Sequence, residues 1–148
     1  MSKNSKNRSL TETSTVFVED ATVKPVEEEN FEYTNLNAAL VEIRKTSGVT
    51  GYILKSQTSA TIDLNDTNKL VDYSLLSSAV MDSTQTAEKL FGIGKVESAT
   101  VEGKTVKALC LLKGENRASI FMDKTVDDVE VLEKVETKLS SKSTLNQT

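Results

Sequence analysis

The chain has 148 residues, 37% of them hydrophobic, and a formal net charge of -4. This size fits one domain with terminal extensions, and the apolar fraction is large enough to form a core. The net negative charge and the lack of a basic stripe argue against nucleic-acid binding, which needs clustered lysines and arginines. No long apolar run predicts a membrane span or a secretory signal, so we expect no membrane insertion and a cytoplasmic location.

The residue types needed for most catalytic chemistry are scarce. The sequence contains no histidine and a single cysteine, Cys110. It therefore lacks the commonest general base and the material for a disulfide or a cysteine metal cluster within one chain. Cys110 lies in the apolar run KALCLL and is interpreted as a small core residue. We expect no enzymatic activity, no catalytic residues, no cofactor and no metal site.

The N-terminal residues 1–33 contain the only proline and show no sustained hydrophobic period. With seven acidic and four basic residues, they are predicted to form a disordered acidic arm. The acidic run 27–29 is interpreted as a solvated linker, with docking on a basic partner as the alternative. The stretch TVFVED, 15–20, has strand propensity and is a second candidate contact, at an edge of its own sheet or a partner's. Residues 140–148 are predicted to be a polar tail, which leaves a domain over 34–139.

The domain opens with an amphipathic pattern. In TNLNAALVEIRKTSG the apolar residues recur at i, i+3, i+4 and i+7 from Leu36, which predicts a helix. Thr34 or Asn35 can cap its start and Gly48 its end. Two β-rich runs, VTGYILKS and SATIDL, follow and predict a hairpin across residues 57–59.

A long helix is predicted from about Asp66, its N-cap, to Phe91, because this segment has no glycine or proline. The stripe predicted to face the sheet comprises Tyr73, Leu76, Val80, Ala87 and Phe91. A second apolar stripe, Val71, Leu75 and Ala79, is rotated from it by more than about 100°. A helix on one sheet needs only one such face. The second stripe therefore predicts contact with a second subunit or, alternatively, with the N-terminal arm.

The string Gly92-Ile93-Gly94-Lys95 is similar to a phosphate-binding loop. A phosphate loop follows a strand and opens a helix, so that backbone N–H groups point at the anion. Here the glycines follow a helix and precede a strand. We interpret them as the left-handed end of the long helix and expect no nucleotide site.

The second half of the domain predicts three strands and a closing helix. The runs GKVESATV and TVKALCLL are separated by a hairpin turn at 102–104, and ASIFMD follows the turn in GENRA. Apolar residues spaced by three or four from Val126 predict the closing helix, with Thr125 as a candidate cap. Asp127 and Asp128 are interpreted as charges that favour the helix dipole rather than as metal ligands.

This element order, together with LNAALVEIRKTSGVTGYIL and AEKLFGIGKVESATVEGKTVKALCLLKGENRASIFMDK, resembles the Roadblock family of dynein light chains and gliding-motility regulators. The resemblance covers residues 34–139. It implies an α+β, profilin-like fold with element order α-β-β-α-β-β-β-α. In that fold the long helix covers one face of a five-stranded antiparallel sheet, and two shorter helices cover the other.

The resemblance also implies a function as a dimeric scaffold or regulator of a small Ras-like GTPase. The implied dimer is a homodimer or a heterodimer with a related Roadblock-like protein, in which strand 95–101 pairs with its counterpart beside the two long helices. The interface residues are then Val71, Leu75, Ala79, Val96, Ser98 and Thr100. The alternative is a domain that senses a small molecule or signal, which would need a concave, partly apolar cavity.

Overall fold

The computed structural model describes residues 16–17 and 27–147, with the side chains of residues 31–141. The remaining residues of the predicted arm lie outside the described part of the chain. The strands are β1 Val16–Phe17, β2 Val49–Lys55, β3 Ser59–Leu64, β4 Ser98–Glu102, β5 Val106–Lys113 and β6 Asn116–Asp123. The helices are α1 Glu27–Ile43, α2 Leu70–Phe91 and α3 Asp128–Gln147. A short 3₁₀ helix, Thr67–Lys69, leads into α2.

The five predicted strands form an antiparallel sheet, and the two-residue β1 adds a sixth strand at one side. The strand order is β1-β3-β2-β6-β5-β4, so β1 and β4 are the edges. Val16 lies opposite Ala60 and Phe17 opposite Ser59. The prediction that TVFVED adds to a sheet edge is therefore confirmed for Val16–Phe17, and the edge is that of the chain's own sheet.

The helices cover both faces of the sheet as predicted. Residues of α1 and α3, such as Leu40 and Val135, pack with Ile120 on one face, where all three are fully buried. On the other face Tyr73 of α2 stacks on Phe121 of β6, with ring centroids 4.2 Å apart and planes inclined by 16°. Because successive residues of a strand point to opposite faces, β6 contributes to both cores.

Both shorter helices are longer than predicted. α1 begins at Glu27, so the predicted cap at Thr34 or Asn35 is wrong, and residues 27–33 are helical. The missed signal is Tyr33, which extends the apolar stripe by one turn, packs on the core and hydrogen-bonds Thr61 through its hydroxyl at 2.5 Å. The predicted cap of α3 at Thr125 is wrong as well.

Asp127 caps α3 instead. Its carboxylate accepts hydrogen bonds from the N–H groups of Val129, at 3.0 Å, and Glu130, at 3.3 Å. These bonds satisfy donors that have no partner within the helix. The helix continues to Gln147, through most of the stretch predicted as a polar tail, which contains no glycine or proline to end it.

The predicted left-handed end of α2 is confirmed, whereas Asp66 caps the 3₁₀ helix that precedes α2, and the N-cap of α2 itself is Lys69. The Asp66 side chain accepts from the N–H of Asn68 at the start of the 3₁₀ helix. Gly92 has φ 59° and ψ 33°, the left-handed conformation, and its N–H donates to the carbonyl of Glu88. Gly94 also has a positive φ, of 88°. The glycine string thus ends a helix.

One predicted core residue of α2, Phe91, is 72% exposed. The 22 residues of α2 make a helix of about 33 Å at about 1.5 Å per residue. Five strands about 4.8 Å apart span only about 19 Å. Tyr73 lies over the middle of the sheet and Met81 packs near β4 and β5, so the last turns of α2 extend past the β4 edge.

Candidate interaction surface

The edge of β4 presents free backbone groups. The Glu97 carbonyl accepts from the N–H of Leu112 at 2.9 Å, and the Gly103 N–H donates to the carbonyl of Val106 at 2.8 Å. Because bonded pairs alternate along an antiparallel ladder, the backbone groups of Ser98 and Thr100 point away from β5. These two predicted interface residues therefore lie together on an edge that can accept another strand.

The third predicted strand residue, Val96, lies outside β4. Its N–H donates to the Glu88 carboxylate of α2 at 2.5 Å, which holds the connection against the helix and delays the start of the strand to Ser98. The predicted strand start at residues 94–95 is therefore wrong. A tertiary contact with α2, which the local sequence does not reveal, sets the boundary.

An ion-pair network holds β4 and β5 to the start of α3. Lys107 Nζ lies 3.2 Å from Asp128 Oδ1 and donates to the Val126 carbonyl at 2.6 Å. The Thr100 hydroxyl donates to the other Asp128 oxygen at 2.9 Å. The Thr100 hydrogen bond, with a further contribution from Lys107, lowers the pKa of Asp128. Asp128 thus fixes the edge strand from one face of the sheet.

The outer stripe of α2 is apolar and exposed. Val71 is 67% exposed and Leu75 64% exposed, and Ala79 is exposed too. Side chains on the opposite side of the helix, such as Val80, are buried against the sheet. The three helical residues predicted for the interface therefore share one solvent-facing stripe on the helix that packs over β4 and β5.

Three further large apolar side chains lie where α2 leads towards β4; their exposure was not predicted from the sequence, and one of them, Phe91, was predicted to face the sheet. Leu90, Phe91 and Ile93 are 69%, 72% and 59% exposed. A Cβ built on the neighbouring Gly92 or Gly94 would meet nothing within 4 Å among the described residues, so both glycines face open space. The signal that could have revealed them was the length of α2 compared with the width of the sheet.

The described residues offer little for chemistry. They include no group of three or more His, Cys, Asp or Glu side chains suited to hold a metal ion. Cys110 is fully buried, as predicted, and burial raises the pKa of its thiol, against a smaller opposite effect of the Ser119 hydroxyl. A buried, protonated thiol is a poor nucleophile. None of the described helices is apolar over enough of its length to span a bilayer.

A groove lies between α1 and α3. It has a volume of about 480 Å³. Its walls are mostly polar and charged, with Glu42, Glu130, Glu133 and Lys134 among the lining residues. A ligand-sensing cavity is predominantly apolar with a few convergent polar groups, so this groove does not favour the sensor alternative.

The fold of the chain was compared with those of known proteins. No protein-family model and no curated protein matches the chain. Solved structures do match, among them a Roadblock/LC7 domain from Streptomyces avermitilis, at 14% identity and a TM-score of 0.56. The match covers 80% of this chain and 97% of that domain. The chain has the Roadblock fold.

Two further matches are the gliding protein mglB from Thermus thermophilus and MglB from Myxococcus xanthus. The Thermus match has 16% identity, a TM-score of 0.59 and covers 82% of this chain and 93% of that protein. The Myxococcus match has 15% identity, a TM-score of 0.60 and covers 85% and 95%. At these identities the likeness concerns the fold, and it confirms the predicted α+β, profilin-like layers of a Roadblock domain.

Proposed function

We propose that this Roadblock-fold protein is a non-catalytic, dimeric scaffold or regulator that acts in the cytoplasm on a small Ras-like GTPase. The observations that carry the proposal are the exposed apolar stripe of α2 and the unpaired edge of β4. Large exposed apolar patches on a monomer mark interaction sites, and an open strand edge invites pairing. The regulatory role follows from the family resemblance and from the likeness to two gliding proteins.

In the proposed dimer, β4 pairs antiparallel with its counterpart and the outer stripes of the two α2 helices meet. Val71, Leu75 and Ala79 form the helical contact, and Ser98 and Thr100 supply the strand contact. Val96 lies at the rim of the strand contact. Leu90, Phe91 and Ile93 extend the apolar surface beyond the strand.

Such an interface is isologous, so every interface residue contributes twice. A related Roadblock-like chain with a similar edge and stripe would give a heterodimer with the same geometry.

The test uses a purified small Ras-like GTPase from the same organism. We expect the chain to bind it in a nucleotide-dependent way and to change its rate of GTP hydrolysis or nucleotide exchange. Leu75→Glu, which puts a charge into the helical contact, should abolish both effects. Val41→Glu is the matched control, because Val41 is also exposed and apolar but lies on α1, across the sheet from α2. Binding with neither nucleotide dependence nor a change in rate would contradict the regulatory role.

A further inference from the structure

Two basic residues of the central strands lie directly opposite each other, and no described residue supplies a counter-charge. Lys55 at the end of β2 is the cross-strand partner of Arg117 in β6. Directly opposite residues have Cβ atoms about 5 Å apart, and like charges there destabilise a sheet. Within the described part of the chain neither side chain has an ion pair or a hydrogen bond.

Hydroxyl groups of α2 face the same place. A hollow of about 30 Å³ between α2 and the sheet is lined by Lys55 and Arg117 together with Ser74 and Ser78. Ser74 and Ser78 are one helical turn apart, and their hydroxyls are without partners among the described residues. Their neighbours Ser77 and Ser119 are different, because the Ser77 hydroxyl donates to that of Ser119 at 2.8 Å.

The hollow adjoins a wider depression of about 330 Å³ at the hairpin end of the sheet, and Lys55 and Arg117 line both. Of the described residues that line the wider depression, only Glu115 has a carboxylate, and it accepts a hydrogen bond from Gln57 at 3.1 Å. Among the described residues, no acidic side chain lines the inner hollow. The two cations and the two free hydroxyls therefore form a donor-rich site with room for an anion on its open side.

We propose that this site binds a phosphoryl group, as free phosphate or as the phosphomonoester of a phosphorylated residue. A phosphomonoester carries nearly two negative charges and three acceptor oxygens, which match two cations and two hydroxyl donors. The guanidinium of Arg117 can bind two oxygens at once, and Lys55 supplies a point charge. A carboxylate, with one charge, would leave one of the two cations uncompensated. This site lies over the β2–β6 pair and is separate from the β4 edge.

The test is an NMR titration of the full chain at constant ionic strength with inorganic phosphate, O-phosphoserine and acetate. We expect phosphate or O-phosphoserine to shift the amide signals of residues 55, 74, 78 and 117 in a saturable way, and acetate to have little effect. Tighter binding of O-phosphoserine assigns the site to a phosphorylated residue. Tighter binding of inorganic phosphate assigns it to the free ion.

Variants separate a specific site from general charge attraction. Arg117→Gln should weaken binding at least tenfold, whereas Lys45→Gln, which removes the same charge from the end of α1, should change it less than twofold. Without phosphate and at low salt, Lys55→Gln should raise the melting temperature because it relieves the repulsion from Arg117. Equal shifts with acetate, or unchanged binding in Arg117→Gln, would overturn the proposal. Because these positions lie outside the proposed dimer contact, the variants should keep the oligomeric mass of the wild type.

Discussion

The Glu97 carbonyl accepts a hydrogen bond from the Leu112 N–H at 2.9 Å, and this bond determines which backbone groups of β4 point to β5 and which point outwards. Since bonded pairs alternate, the N–H of Ala99 points to β5 and that of Ser98 points outwards. A proline at each position removes one donor, but only the donor of Ala99 is used within the chain.

We therefore expect Ser98→Pro to leave the fold nearly as stable as the wild type and to weaken the dimer. Ala99→Pro should lower the free energy of unfolding by about 3 kcal/mol. Urea unfolding and light scattering after gel filtration measure the two effects. If Ser98→Pro destabilised the fold as much as Ala99→Pro, the outward direction of the Ser98 N–H would be wrong.

Acid should reveal the role of Asp128. The Thr100 hydroxyl and Lys107 lower the pKa of Asp128 in the folded state, so its contribution to stability is present above the unfolded value of about 3.9. That contribution to stability is lost as the pH falls through the pKa that Asp128 has in the folded state, which is the lower of the two. Asp128→Asn should be less stable than the wild type at pH 7 and nearly equal to it once the pH lies below both values.

The matched control for Asp128 is Asp127→Asn. It removes the same charge at the neighbouring position but keeps a good N-cap residue. The urea midpoint of this control should stay close to that of the wild type at both pH values. If Asp128→Asn were as much less stable than the wild type in acid as it is at pH 7, the carboxylate would contribute to stability through something other than its charge.

Gly92 needs its left-handed conformation. With φ at 59°, an alanine there should cost about 1–2 kcal/mol of folding free energy, although its Cβ would meet no atom within 4 Å. Gly103→Ala is the control, since its φ is not positive. The melting temperatures of the two variants should differ by several degrees, and equal melting temperatures would contradict the strain argument.

Nucleotide binding that required Lys95 would contradict the interpretation of the glycines as a helix end.

The β1 pairing should make a small contribution to stability. Deleting residues 1–18 removes two cross-strand positions. If that costs about 1 kcal/mol, the melting temperature of a domain of this size falls by about 3–6 °C. Deleting only residues 1–10, upstream of β1, should leave the melting temperature unchanged. A drop well above about 10 °C would mean that the N-terminal segment packs on the domain far more extensively than two residues can.

Local signals in the sequence were sufficient for the strands β2 and β3. The β-rich runs predicted β2 and β3 to within a residue, and Gly103 marked the hairpin turn, because side-chain shape and turn chemistry act over a few neighbouring residues. The left-handed Gly92 was predictable for the same reason. The exposure of the outer stripe was predictable because a helix on one sheet buries one face only.

The remaining features depend on distant contacts. Phe91 continues the buried stripe in helical phase, and only the width of the sheet leaves it exposed. Thr125 and Asp127 are both plausible N-caps for α3. The ion pair between Asp128 and Lys107 favours a helix that begins at Asp128 and is capped by Asp127. The Glu88 carboxylate binds the Val96 N–H eight residues away in sequence. No window of neighbouring residues contains this information.

The most direct test of the central claim is the mass of the wild-type chain in solution, measured by light scattering at about 100 µM and after tenfold dilution. The proposed interface predicts twice the single-chain mass of 16.2 kDa, a fall to the single-chain mass in Leu75→Glu, and no change in Val41→Glu. A wild-type chain that has the mass of one chain at the higher concentration would contradict the homodimer. The exposed stripe of α2 would then need a related Roadblock-like chain as its partner.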